Sequence, residues 1–211
     1  MLKYSSVFKY AKYCLILFFT ALISCKQNKK LEIIKSIPED EILSLKYEVL
    51  NQLIKEDSIA SHFNNFVYSK GTLPVTIIND IDEERPLGLD LKYDSLFKAE
   101  DSSFYKTQEK TDYRFKLDSS KIHSKIQYVT AEELYNMRSN GVEKFWTNFN
   151  KRFEGKCVKV YSVPFFTKDK TICVVQNSTS CGILAADGST AIYKKVDGKW
   201  IIIRSYDHWV S

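Results

Sequence analysis

From Gly155 to Ser211 the chain reads as an antiparallel β-meander, and one dipeptide in it, Asp197-Gly198, sets how two of its strands must pair. A two-residue type I′ turn needs positive φ at both central positions, which Asp and Gly tolerate. With that turn Val196 faces Lys199, Lys195 faces Trp200 and Tyr193 faces Ile202, while Lys194 meets Ile201 and Ile192 meets Ile203 on the other face. Both faces of the last strand are apolar near its middle, so the pattern predicts cover on two sides. Ahead of it, Val158 to Phe166 forms one strand interrupted by Pro164, Lys168 to Lys170 turns the chain, and Thr171 to Gln176 forms the next. Asn177 to Gly182 reads as a small-residue loop and Asp187-Gly188 as a further turn, before a strand from Thr190 to Val196.

The stretch before the meander supplies helices to cover it. Ser36-Ile37-Pro38 followed by Glu39, Asp40 and Glu41 is a helix start, with acids where the dipole favours them. Ile42, Leu45, Val49, Leu50, Leu53 and Ile54 then recur on one helical face. Leu73 to Ile78 is strand-like, with Pro74 confining it to a start or an edge, and Asn79 to Asp94 is an acidic loop broken by Pro86 and Gly88. A second helix is predicted over Asp94 to Thr107, with Leu96, Phe97, Phe104 and Tyr105 inward, and a short strand over Lys125 to Val129. Thr130 with Glu133 three residues later is a capping box; Ser139-Asn140-Gly141 ends that helix, and Val142 to Phe153 forms another with Phe145, Trp146, Phe149 and Phe153 on one side. A chain of 211 residues holds one domain comfortably, so the expected fold is α+β, with N-terminal and central helices packed on a C-terminal antiparallel β-meander.

Residues 1 to 24 carry Lys3, Lys9 and Lys12 without an acid, then an apolar run from Leu15 to Ile23 too short to span a bilayer. That is the pattern of a secretory signal. Leu22-Ile23-Ser24-Cys25 resembles the bacterial lipobox, in which the chain is cut before a cysteine that carries lipid. The expected division is therefore 1–24 as signal, 25–35 as a polar tether after a lipidated Cys25, and 36–211 as the folded domain. Loss of the first 24 residues removes three lysines, so the formal charge of +5 falls by three and no longer points to a polyanion. Several acyl chains on Cys25 would hold the protein on a lipid bilayer durably, since each buried methylene contributes about 0.8 kcal/mol. The resemblance implies, from Lys26 in the second position, an outer-membrane lipoprotein, and the lack of an acidic cluster after Cys25 implies its periplasmic face.

Cys157, Cys173 and Cys181 remain, in a compartment where disulfides form. A hairpin turning at Lys168 to Lys170 sets Cys157 opposite Cys181, which favours a bond between them. Three unlinked core cysteines is the competing reading, because a bulge at Pro164 would shift the register. Cys181 with His208 and Asp207 could form a nucleophile and base, but neighbours on a strand face opposite sides. Asp80, Asp82, Glu83, Glu84 and Asp90 lack the regular spacing of a calcium loop, and His62 and His123 stand alone. No phosphate-binding glycine loop, nucleophile elbow or zinc spacing occurs, and the basic residues form no stripe for nucleic acid. No catalytic residue, metal or cofactor is therefore assigned. Phe145, Trp146, Phe149, Trp200 and Trp209 are the candidate pocket. The expected role is a non-catalytic binding or interaction module for a protein or small molecule, with a pocketed hydrolase using Cys181 and His208 as the alternative.

The lipobox-like start, Phe145-Trp146, Ser162-x-Pro164-x-Phe166, the Cys181-Gly182 to Gly188 loop, the Lys195-to-Trp200 hairpin and the Trp209-Val210-Ser211 end resemble uncharacterised lipoproteins of Bacteroidota. That resemblance spans most of the domain and implies localisation without an activity. The order of helices followed by a curved sheet is also similar in outline to cystatin-like and nuclear-transport-factor-like folds, whose cavity takes small ligands.

Overall fold

The computed structural model describes residues 39–60, 65–75, 77–78, 89–90, 95–138 and 141–211. The expected signal, Cys25, the tether, the Ser36 to Pro38 helix start and the acids Asp80, Asp82, Glu83 and Glu84 lie outside these described residues. Helix α1 spans Glu39–Ala60. Strand β1, Phe66–Ser69, is followed by the short pair β2, Ile77–Ile78, and β3, Leu89–Asp90, then by a 3-10 turn and helix α2, Ser102–Asp112. Next come β4, Gln127–Val129, α3, Ala131–Arg138, and α4, Val142–Phe153. The meander is β5, Cys157–Tyr161, β6, Phe165–Phe166, β7, Ile172–Gly182, β8, Ala185–Val196, and β9, Lys199–Val210.

The main sheet has the order β4-β1-β5-β7-β8-β9, with β6 also on β7. From β5 onward every pairing is antiparallel, whereas β1 runs parallel to both β4 and β5. The α+β class with helices on a C-terminal meander is thus the observed fold, enlarged by two parallel strands. Alternation along β7 sorts the core into two faces. Cys173 and Val175 join Tyr161, Tyr193 and Trp200 against Val49, Leu50, Leu53 and Ile54 of α1. Val174 and Ile192 point the other way, to Phe97 and Tyr105 beside α2, and on the same side Val67, Val129 and Val158 meet Trp146, Phe149 and Phe153 of α4. Each such large apolar side chain contributes about 1.5–3 kcal/mol by leaving water.

Local rules explain several joints. Glu133 N–H donates to Thr130 Oγ1 at 3.1 Å and Thr130 N–H donates back to Glu133 Oε2 at 2.7 Å, a complete capping box that starts α3. Asp197 and Gly198 have φ of 48° and 78°, and the hairpin pairs Val196 with Lys199, Lys195 with Trp200 and Tyr193 with Ile202. β5 meets β7 with Val158 opposite Ser180 and Tyr161 opposite Asn177, whereas β6 meets it with Phe165 opposite Val174, so the register shifts by one residue across the stretch that holds Pro164, and that shift brings Cys157 level with Cys181.

Five expectations need correction. Asn177 to Gly182 is not a loop and Asp187-Gly188 is not a turn: both lie inside long strands, and the chain turns at Ile183 and Leu184 instead. Pairing on both edges of β7 overrides the weak strand preference of those small residues. Leu89–Asp90, inside the stretch read as loop, pairs with β2. Ile192 faces Arg204, not Ile203, because the register slips between Ile192 and Tyr193. Finally, β9 is not covered on two sides. Ile201, Ile202 and Ile203 are 49%, 55% and 45% exposed, since β9 ends the sheet and α1 reaches it only around Trp200.

Candidate functional site

A strip of sheet lies between the α2 cluster and the α4 cluster on their common face. Val158 pairs with Ser180 and Val160 with Ser178, so these four side chains share that face in two rungs about 7 Å apart along the strands. The first rung floors an apolar cleft of about 450 Å³, walled by Leu134, Tyr135 and Arg138 of α3 and by Val142, Phe145 and Trp146 of α4. The second floors a smaller cleft of about 260 Å³ whose lining includes Leu73, Ser162, Gln176, Thr190, Asp207 and Trp209. The two clefts, one apolar and one polar, lie on adjacent rungs of one sheet face, a strip termed the trough.

The polar end is built across three strands. Ser162 Oγ accepts from the Gln176 backbone N–H at 2.8 Å, Gln176 Nε2 donates to Thr190 Oγ1 at 3.4 Å, and Thr190 Oγ1 donates to Asp207 Oδ2 at 3.3 Å. Ser162 and Thr190 are buried. Asp207 reaches this face because β9 bulges there. Gly188 pairs with Trp209 and Thr190 with Tyr206, so Asp207 and His208 together oppose Ser189, and Asp207 takes a φ of 53°. The same bulge leaves His208 Nε2 3.0 Å from Ser205 Oγ, and Ser205 pairs with Ala191, whose side chain packs on the α1 side. Asp207 and His208 therefore serve opposite faces.

The candidate pocket drawn from the sequence divides among several places. Phe145 and Trp146 wall the apolar cleft and Trp209 the polar one. Phe149 is fully buried beneath α4. Trp200 is buried on the α1 side, where its indole N–H donates to Glu48 Oε1 at 3.0 Å. Gln176, Thr190, Ser162 and the α3 residues were not anticipated. A glycine inside a strand run, Gly188, marks close approach of another group, here Trp209.

Cys157 and Cys181 form a disulfide, with Cα atoms 4.2 Å apart. Cys181 consequently has no thiolate to offer, and a mechanism using Cys181 and His208 loses its nucleophile. Cys173 is a buried free thiol, pushed well above its usual range by burial and then by the Glu48 charge, and is inert. Among the described residues no group of three His, Cys, Asp or Glu could hold a metal, and no helix is long and apolar enough to cross a membrane. No family model, curated protein or solved structure matches the chain.

Proposed function

We propose that this chain is a non-catalytic binding module, held on the periplasmic face of an outer membrane through an acylated Cys25, and that the trough is where its ligand sits. One observation carries the binding reading: an apolar and a polar cleft share the adjacent rungs Val158-Ser180 and Val160-Ser178 of one sheet face. Ligand sites combine apolar walls with a few placed polar groups in this way. The Cys157–Cys181 bond supports an oxidising compartment, and the Leu22-to-Cys25 pattern supports the anchor.

The three tryptophans of the chain make a direct test. Trp146 reports the apolar end, Trp209 the polar end, and Trp200 the opposite face. A small-molecule library screened by NMR should yield compounds that move the Trp146 or Trp209 indole N–H signal and leave Trp200 in place. A library in which every hit moves Trp200 alone, or none moves any, would remove the reading. For the anchor, labelled palmitate should enter the wild-type chain in cells and fail to enter Cys25→Ser.

A further inference from the structure

Ile201, Ile202 and Ile203 stand on the last strand of the sheet, beside the exposed Val196 and the Asp197-Gly198 turn. Pairing sorts them between the faces. Val196 with Lys199 and Lys194 with Ile201 lie away from α1, Ile202 opposes Tyr193 on the α1 side, and Ile203 is the residue left over where the register slips. The backbone of Trp200 is already used, since its N–H and its carbonyl both bond to Gln52. By the alternation of an antiparallel pair, the N–H and carbonyl of Ile202 turn outward as well. Apolar side chains thus flank an open strand edge.

Three observations narrow what covers it. Another strand fits poorly: it would have to displace Gln52 at Trp200, and the slip at Ile203 breaks the straight row of amides after Ile202. Charge favours an anionic surface. Lys195, Lys170 and Lys168 are taken by Glu48, Glu41 and Asp101, whereas Lys194 and Lys199 make no ion pair among the described residues and outnumber Asp197 in the turn. The nearest further acid, Glu56, belongs to the α1 side, where Gln52 Nε2 donates to it at 2.8 Å. Finally, the chain enters the domain at this end. Glu41, in the first turn of α1, pairs with Lys170 at 2.7 Å, and Lys195 N–H donates to the Thr171 carbonyl at 2.8 Å, so the start of α1 neighbours the turns at 168–170 and 197–198. Fourteen residues of chain lead from Cys25 to Glu39, a reach of at most about 50 Å.

A phospholipid leaflet supplies what the edge lacks: acyl chains for the isoleucines, and phosphate oxygens for the lysines and the Ile202 N–H. We infer that the β9 edge, through Ile201, Ile202 and Ile203 with Lys194 and Lys199, docks on the anionic phospholipid bilayer that holds Cys25. The inference rests on the anchor in the proposed function and adds how the domain stands on it. β7 runs from this end to Gly182, so docking turns the cleft over Val158 and Ser180 away from the lipid.

The test places the acylated chain in nanodiscs of phosphatidylcholine, with or without phosphatidylglycerol, that carry a nitroxide on the lipid headgroup. With phosphatidylglycerol, the amide signals of Gly198 and of residues 201–203 should lose most of their intensity, while that of Leu184, 84% exposed at the opposite end of the sheet, keeps its own. The ratio of docked to free domain should fall about fivefold for each cation removed in Lys194→Gln and Lys199→Gln, and should fall with added salt. Ile201→Ser with Ile202→Ser should lower it at least as much. All four positions are exposed, so the melting temperature should hold in every variant. The inference is overturned if Leu184 broadens as strongly as Ile202, if neutral discs give the same broadening, or if the isoleucine variant docks as the parent does. It is overturned too if neither the lipid nitroxide nor a soluble gadolinium chelate reaches residues 201–203, for then a second copy or another protein covers the edge. Palmitate labelling of the same sample separates two failures. A labelled chain without the contrast loses the docking alone, and a chain that takes up no palmitate loses the anchor and the docking together.

Discussion

Gln108 and Phe166 exchange two hydrogen bonds: the Gln108 amide Nε2 donates to the Phe166 carbonyl at 3.0 Å, and the Phe166 N–H donates to Gln108 Oε1 at 2.9 Å. Gln52 treats Trp200 in the same manner, with bonds of 2.7 and 2.8 Å. A side-chain amide presents one donor and one acceptor side by side, so each glutamine completes a strand residue as a neighbouring strand would. Because Phe166 is fully buried, Gln108→Ala leaves two backbone groups without partners and should cost about 2–4 kcal/mol. Gln52→Ala should cost less, as water reaches that edge. Urea denaturation of the two variants checks the order.

Lys46 and Asp112 form a buried ion pair between α1 and α2, and Asp112 Oδ2 is buried without a hydrogen-bond partner. Burial raises the Asp112 carboxyl to about 6 although Lys46 opposes the rise. Between the ordinary value of 3.8 and about 6 the folded chain holds a proton that the unfolded chain has released. The contribution of this group is therefore present in full below that window, is lost as pH rises through it, and is flat above. Asp112→Ala alone, which strands a buried ammonium, should cost about 3–5 kcal/mol, while Lys46→Met with Asp112→Leu should be neutral or stabilising and abolish the slope. Denaturant titrations at several pH values measure both effects.

Removing the disulfide with Cys157→Ser and Cys181→Ser opens a loop of sequence separation 24 and should cost about 3 kcal/mol. Reductant should lower the melting temperature of the parent and leave the double variant unchanged.

Gly188→Ala places a methyl group 2.5 Å from the Trp209 ring. Displacement of the indole should cost about 1–3 kcal/mol and shift the Trp209 N–H signal, with Trp146 and Trp200 unmoved.

Ile202→Lys should change stability by no more than about 0.5 kcal/mol, because the side chain is 55% exposed on the last strand of the sheet. A cost of several kcal/mol in a thermal melt would mean that β9 is covered after all.

What could be read from the residues alone depended on whether a local rule governed them. Thr130 with Glu133, the Asp197-Gly198 turn and the Val142 to Phe153 helix each follow from bonds or periodicities within a short span, whereas Cys157 comes level with Cys181 only through a one-residue shift near Pro164. β1 left no such signal, since Phe66–Ser69 is four residues held by parallel partners far away in sequence. Tyr47 and Lys46 are buried on α1 although an apolar-stripe reading passes over both. In the trough, Trp209 was nameable as an aromatic candidate, but the bulge beside it is announced by no residue: Asp207 at positive φ is an outcome of the pairing of β8 with β9.

The disulfide joins Cys157 and Cys181, the neighbours of Val158 and Ser180, at the apolar end of the trough floor. A sheet strip left without a helix over it would ordinarily breathe, and a ligand would then spend part of its binding free energy on ordering the two strands. Here a covalent clasp restrains the two strands independently of any ligand. For the proposed ligand the floor is thus preorganised, so reduction of the bond should weaken its affinity through the shape of the empty site.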